Sequence, residues 1–305
     1  MDFAGDGEHD WLRVEKTAAN TQWTAEQLAR HARVKPNDVG YAGMKDRHAI
    51  SRQWFSVRRP NRGGTDWDTF EATGVRILER HVHGRKLRRG THTGNAFRIA
   101  LRAAGLGAHE AAIAERIAGI DALGVPNYFG AQRFGHGGSN VETGRAALAG
   151  RRMSRHRRGI GISAVRSSLF NAQLDARVRD GTWNRLLPGE LANLDGSASV
   201  FAVDTVTPEL AGRCRAFDIH PSGGLPGDGG PRPSGEAAEV EEAILAQHAD
   251  LVAGLVAARV EAARRPLRLP VRKLRMELEA DCLWLEFELG TGGYATSVLR
   301  EIASS

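Results

Sequence analysis

The sequence predicts an α+β chain, rich in strands at both ends and largely helical between them. Three observations carry that reading. Near both ends, apolar and polar residues alternate, as at Leu12 and Val14 between Arg13 and Glu15, and at Phe97, Ile99 and Leu101 against Arg98 and Arg102; a period of two marks a half-buried strand. From Glu110 to Pro266 helical spacing dominates instead. With 305 residues, 41% of them hydrophobic, the chain is long enough for two cored domains. A middle domain inserted into a β-rich one explains strands, helices and strands in that order more simply than two domains in tandem. The insertion is placed at residues 120–266, leaving 1–119 and 267–305 as the β-rich part.

Taken in order, residues 1–10 are Gly- and Asp-rich and carry no packing pattern, and the first strand is expected over 10–16. Thr24 and Gln27 have capping-box spacing, and Ala25, Leu28, Ala29 and Ala32 would share one face of the helix, which Pro36 and Asn37 close. A second strand is expected over 53–58, with Trp54 and Phe55 on opposite faces. A Pro/Gly/Asn linker at 60–64 leads to a third around 73–78, and a turn at Gly94 opens a fourth, running to Arg102. Helices are expected at 110–119, 163–179 and, long and Ala-rich, 236–265, where Pro266 stops the last. Residues 125–135, rich in aromatics and glycine, read as a rigid loop and 221–235 as a Pro/Gly/Ser loop. Strands at 274–279 and 283–289 form a hairpin about Ala280-Asp281, followed by a glycine loop and a short helix.

Charge narrows the function. The net charge is +6, and it is unevenly spread. No acid occurs between Arg80 and His109 against seven Arg and Lys, nor between Thr143 and Leu174 against seven Arg. Two long acid-free basic stretches are the footprint of a polyanion, and neither reads as an amphipathic helix with a broad apolar face, so nucleic acid is favoured over a membrane surface. No run approaches a membrane span, and no apolar segment follows a basic start. Cys214 and Cys282 are too few for a disulfide framework and lack ligand spacing, so a reducing cytoplasm is the expected setting. His81, His83, His92 and His136 have no acid or cysteine at ligand spacing, and no metal is expected there.

Chemistry concentrates in Gly40-Tyr41-Ala42-Gly43-Met44-Lys45-Asp46-Arg47-His48-Ala49. Two glycines three apart permit a sharp turn. Asp46 sits between Lys45 and Arg47, with His48 next, and such neighbours favour the ionised carboxylate. That suits a nucleophile or electrostatic stabiliser better than a general acid, although the same residues also describe a solvated turn. Phe97, beside a Gly-Asn turn at the mouth of its strand, reads equally as core or as a ring on which a base could stack.

Gly43-Met44-Lys45-Asp46-Arg47-His48-Ala49-Ile50-Ser51-Arg52-Gln53-Trp54 resembles the signature segment of the tRNA pseudouridine synthase D (TruD) family. Val125-Pro126-Asn127-Tyr128-Phe129-Gly130 with Gln132-Arg133-Phe134-Gly135 resembles the opening of that family's inserted domain. Arg166-Ser167 with Leu169-Phe170-Asn171, and Tyr294-Ala295-Thr296-Ser297-Val298-Leu299-Arg300-Glu301, fit it in the same order. The resemblance implies a pseudouridine synthase catalytic domain with a mixed, largely antiparallel sheet flanked by helices, carrying an inserted α/β domain. It implies isomerisation of uridine to pseudouridine in tRNA, at uridine 13 as in bacterial members, without cofactor or metal. By the same resemblance Asp46 matches the catalytic aspartate, Phe97 the aromatic that stacks on the target base, and Asn95 the polar residue beside it. Lys45, Arg47, His48, Gln53, Asn127, Arg133 and Arg300 are expected to contact substrate, as are the phosphate-facing Arg85, Lys86, Arg88 and Arg89. Arg300 is also a candidate cation for Asp46, against a plain surface ion pair. The partner expected is tRNA, with no membrane and no obligate protein partner, and the protein is expected to be a monomer. Two departures stand out: the chain begins without the N-terminal segment, with its lysine and Pro-Glu-Asp-Phe-like strand, that members carry, and Ser51 replaces a commoner threonine. Without that segment an edge strand and part of the site wall are expected to be missing. The rival readings are a non-catalytic RNA-binding or chaperone-like protein using the same basic surface, and a metal-dependent RNA-cleaving enzyme, which would need clustered acids.

Overall fold

The alternating stretches do become sheet. In a computed structural model, described over residues 6–60 and 64–303, the chain divides into two compact units, Met1–Thr93 and Gly94–Ser305. In the first, β1 (His9–Thr17), α1 (Thr21–His31), β2 (Val39–Tyr41), β3 (Ile50–Arg58) and β4 (Val75–His83) build an antiparallel sheet in the order β2-β3-β1-β4. Facing residues pair as Leu12↔Phe55, Val14↔Gln53 and Lys16↔Ser51, so these side chains share the face that α1 covers. Leu12, Val14, Phe55 and Val57 are buried there against Ala25, Leu28, Ala29 and Trp67, about 1.5–3 kcal/mol for each fully buried large side chain. Trp54 and Phe55 do lie on opposite faces. The Trp54 ring turns to Trp11 and His81 on the outer side.

Two expectations about α1 need correction. Its N-cap is Asn20, whose side-chain oxygen accepts from Gln22 N at 2.8 Å. Thr24 sits inside the helix and its hydroxyl donates to Asn20 O at 2.9 Å, so there is no capping box with Gln27. The helix also stops before Pro36, which opens a separate 3-10 turn at Pro36–Asp38. The linker expected at 60–64 lies mostly outside the described residues.

The second unit opens with β5 (Gly94–Arg102), the edge of an antiparallel sheet β13-β14-β5. α2 (Glu110–Leu123) packs on that sheet and leads through β6 (Val125–Pro126) to α3 (Ser139–Leu148) and α4 (Arg155–Arg179). A Cβ added to Gly144 would lie 2.2 Å from Gly161 O, so α3 and α4 touch backbone to backbone. Next come β7 (Glu190–Leu194), β8 (Val200–Val203), α5 (Pro208–Arg215) and β9 (Ile219–His220), whose strands form a small sheet in the order β8-β7-β9. β10 (Ser222–Leu225), α6 (Gly235–Ala246), α7 (Ala249–Ala257), β11 (Ala263–Pro266) and β12 (Arg268–Leu269) follow, with β10 paired to β11 and β12 to β6. β13 (Arg272–Glu279), β14 (Cys282–Gly290) and α8 (Ala295–Ala303) close the chain. The core against β14 gathers Leu283, Leu285, Phe287 and Leu289 with Val298 and Ile302 of α8 and Ile113 and Ile120 of α2. The expected hairpin is thus present.

The single helix expected over 236–265 is two helices and a strand. His248 leaves the helical region at φ −131°, and Arg259 takes φ +51° just past α7. Residues 263–266 then pair with 222–225, inside what reads as a Pro/Gly/Ser loop. The second basic stretch is partly helical: Arg155, Arg157 and Arg158 form the first turn of α4.

Candidate active site and nucleic-acid surface

Residues 42–49 join β2 to β3 and carry Asp46 exposed at the surface. What fixes this loop is Lys16. Period-two alternation places Lys16 on the inner face after Leu12 and Val14, and its side chain is fully buried. Its Nζ donates to Ala19 O at 2.7 Å, Asp46 O at 3.0 Å and Lys45 O at 3.4 Å. Thr21, also fully buried, accepts from Lys45 N at 3.0 Å. A buried charge is costly unless it is hydrogen-bonded, and here the bonds go to the backbone under the carboxylate. Burial pushes the Lys16 ammonium below its ordinary range, and the charge of Asp46 opposes the shift. Lys45 is lowered for the same first reason and opposed by the same carboxylate. Arg47 and His48 point to solvent. Met44, 56% exposed, and Ile50, 70% exposed, add apolar surface to the loop and to the strand end that follows it.

Neither glycine of the motif is used for a turn by positive φ. Gly40 lies within β2, where an added Cβ would sit 2.2 Å from Leu87 O, so it is needed for close approach of residues 86–89. On the β3 side of the loop, Gln53 lies on the inner face opposite Val14, and its amide nitrogen and oxygen are both buried without a hydrogen-bond partner.

Residues 85–89 flank a buried Leu87, whose N–H donates to Ser56 Oγ at 2.8 Å. Arg85, Lys86, Arg88 and Arg89 are thereby splayed outward, all exposed. Lys86 donates to Asn37 O, and Arg89 reaches the Tyr41 hydroxyl at 3.2 Å.

In the second unit, Asn95 and Phe97 stand on β5 opposite Leu289 and Phe287. The Phe97 ring stacks on Phe287 at 5.3 Å between centroids and stays half-buried. Arg98, on the other face, pairs with Glu286 at 3.1 Å and lies over Trp284. Asn127 is buried, its Nδ2 donating to Pro266 O at 2.8 Å and its Oδ1 accepting from Arg265, so its amide serves the fold. Arg133 donates to the Tyr294 hydroxyl at 3.1 Å and lies 5.4 Å from the Phe129 ring centre. Arg300 lies 4.1 Å from the Tyr128 ring centre and 3.6 Å from Glu301. Burial and the hydrogen bond to Asp175 push the Tyr128 phenol up to about 12, so it stays neutral.

Among the described residues no three His, Cys, Asp or Glu gather as metal ligands, and no helix is long and apolar enough to cross a membrane. The family model described as "tRNA pseudouridine synthase D (TruD)" matches residues 2–152 and 141–302. A protein named tRNA pseudouridine synthase D from Methylococcus capsulatus is 46% identical over 301 residues, covering 98% of this chain and 84% of its own. Its namesake from Aeromonas salmonicida is 42% identical over 299 residues, with 98% and 84% covered. A crystal structure from Methanosarcina mazei, described under the same enzyme name, superposes with a TM-score of 0.78 at 19% identity, covering 100% of this chain and 90% of that one; it shares the fold.

Proposed function

The chain belongs to the tRNA pseudouridine synthase D family, and from that premise we propose that Asp46 is its essential carboxylate and uridine 13 of tRNA its target. As a member it is an isomerase that converts uridine to pseudouridine. The reaction breaks the C1′–N1 bond, turns the uracil over and rejoins it through C5, which gives up its proton while N1 takes one up. A stacked uracil must first be everted, costing a few kcal/mol; stacking on Phe97 would return roughly 1–3 kcal/mol. Asp46 then attacks the sugar or takes its 2′ proton, and both roles need an ionised, well-placed carboxylate. The observation that supports this best is the buried Lys16 ammonium, which fixes the backbone of Lys45 and Asp46 and adds positive charge close by. Residues 1–119 and 267–305 would form the catalytic domain and 120–266 the inserted one, acting as a monomer in the cytoplasm, where tRNA is found.

The rival is a protein that binds tRNA without altering it. Tritium release from tRNA labelled at uridine C5 separates the two: the protein should release it and Asp46→Asn should not. Release by both, or by neither, overturns the proposal. The exposed Arg85, Lys86, Arg88 and Arg89 would hold phosphates without reading bases. Affinity should therefore fall steeply with salt, by a slope that shrinks when these four are neutralised.

A further inference from the structure

We propose that the groove between β2 and residues 86–89 is a second nucleotide site, holding a nucleotide adjacent to the target uridine along the RNA strand. The base would lie on Tyr41 and the phosphate among Lys86, Arg88 and Arg89. The inference rests on the RNA reading above but concerns a different cavity, of about 570 Å³, lined by these residues and by Gln22 and Glu26. That volume is within the ~300–1,000 Å³ of small-molecule sites.

Three features make this more than a basic patch. First, the wall is rigid: Leu87 is buried and bonded to Ser56, Gly90 N donates to Ala42 O at 2.8 Å, and Gly40 leaves no gap behind it. The cations therefore project from a fixed backbone. Second, cation and ring converge, with the Arg89 guanidinium over the Tyr41 ring, 5.5 Å from its centre, and bonded to its hydroxyl, so that a base stacking on that face would take the guanidinium's place as it turns to the phosphate. Tyr41 also packs at a tilt against Phe55, at 5.8 Å between centroids, and stays half-exposed. A flat ring beside arginines is how single-stranded RNA is held, by stacking plus phosphate contact. Third, the single acid among the lining residues, Glu26, is engaged by the Gln22 amide at 3.2 Å, leaving the three cations in excess. Tyr41 ends β2, and the loop that leaves it carries Asp46. A strand everted at one nucleotide and stacked at its neighbour would be gripped at the start of one short loop and again within it.

The test pairs protein variants with substrate lesions. Full-length tRNAs carrying an abasic residue on either side of the target are bound to wild type, Tyr41→Leu, Tyr41→Phe and Arg89→Gln. Wild type should lose about tenfold in affinity at one abasic position. Tyr41→Leu should lose as much on intact tRNA and nothing further at that position, while Tyr41→Phe, which keeps the ring, should track wild type. Arg89→Gln, at an exposed side chain, should show partial coupling to the same position and decides the matter if Tyr41→Leu fails to fold. Losses that simply add at both positions overturn the groove. The two proposals fail separately: coupling without tritium release sinks the proposed activity alone, and tritium release without coupling sinks the groove alone.

Discussion

Lys16 carries no exposed surface, yet its ammonium is ringed by the carbonyls of Ala19, Lys45 and Asp46. Replacing it with methionine removes a costly buried charge but leaves the buried Ala19 carbonyl without its donor, at about 1–3 kcal/mol, while Lys45 O keeps the Thr21 hydroxyl and Asp46 lies at the exposed surface. These terms oppose each other, so global stability should move by only a few degrees in Tm. The loop loses its fixed point, and a displaced catalytic group about 1 Å off can cost on the order of a hundredfold. Lys16→Met should therefore lower kcat by about ten- to a hundredfold, with tRNA Kd near wild type. Single-turnover kinetics beside a binding titration would check it, and a kcat within twofold of wild type would remove Lys16 from the site. The spacing that exposes this residue was present in the sequence: Leu12, Val14 and Lys16 occupy successive inward positions of one strand, and a lysine in an inward series needs a partner. Asp46 stands out in the sequence by its charged neighbours and its motif, but Lys16 is tied to a loop some thirty residues away, which no local pattern encodes.

At the scale of elements, α4 is the anomaly. A helix N-terminus carries about half a positive charge and favours acids, yet the first turn of α4 holds Arg155, Arg157 and Arg158 and no acid. The Ser154 hydroxyl caps it, accepting from Arg157 N at 3.3 Å. Each arginine here should cost roughly 0.3–1 kcal/mol, which makes sense if a polyanion covers that end. The triple change to glutamine should raise Tm while weakening tRNA binding and flattening its salt dependence, by up to ~0.9 in the log–log slope per lost phosphate contact. Melting curves and salt titrations read the two signs independently, and unchanged tRNA affinity would exclude this turn from the interface. Elsewhere, elements were legible where period and punctuation agreed, as in β5, β14 and the apolar face of α1. They failed where the decisive contact is distant. Nothing in the Ala-rich run from Glu236 marks the break at His248, and Ser222-Gly223-Gly224-Leu225 becomes a strand only because residues 263–266 pair with it.

For the whole molecule, the α+β class followed from alternation near both ends. The division of the packing at Thr93–Gly94 has no mark in the sequence, where Gly94 reads only as the turn that opens a strand; β5 pairs with β14, near the far end of the chain. The response to acid is also a property of the whole chain, and it can be worked out in sign. His220 is buried between Asp195, which receives its Nε2 proton at 3.0 Å, and Arg268, which donates to its Nδ1 at 3.1 Å. Burial first, and the Arg268 charge next, hold its pKa below the ordinary 6.5, against the pull of Asp195, itself shared with Arg272. His9 is lowered as well, chiefly by burial and then by Lys86. Both rings are neutral in the fold and take up protons more readily once it opens. At these two sites the unfolded chain therefore binds more protons from about a unit above pH 6.5 downward, and their contribution to stability falls with pH until the folded-state values are reached; Glu190, whose carboxyl is pushed up by burial, works in the opposite direction. From about pH 8 upward these two groups contribute almost no slope. Unfolding free energy measured between pH 8 and pH 5 should thus be level at first and then decline. His220→Gln, whose amide can donate to Asp195 and accept from Arg268, should make the decline shallower. A decline no shallower in His220→Gln than in wild type would mean that His220 is not held neutral by the fold.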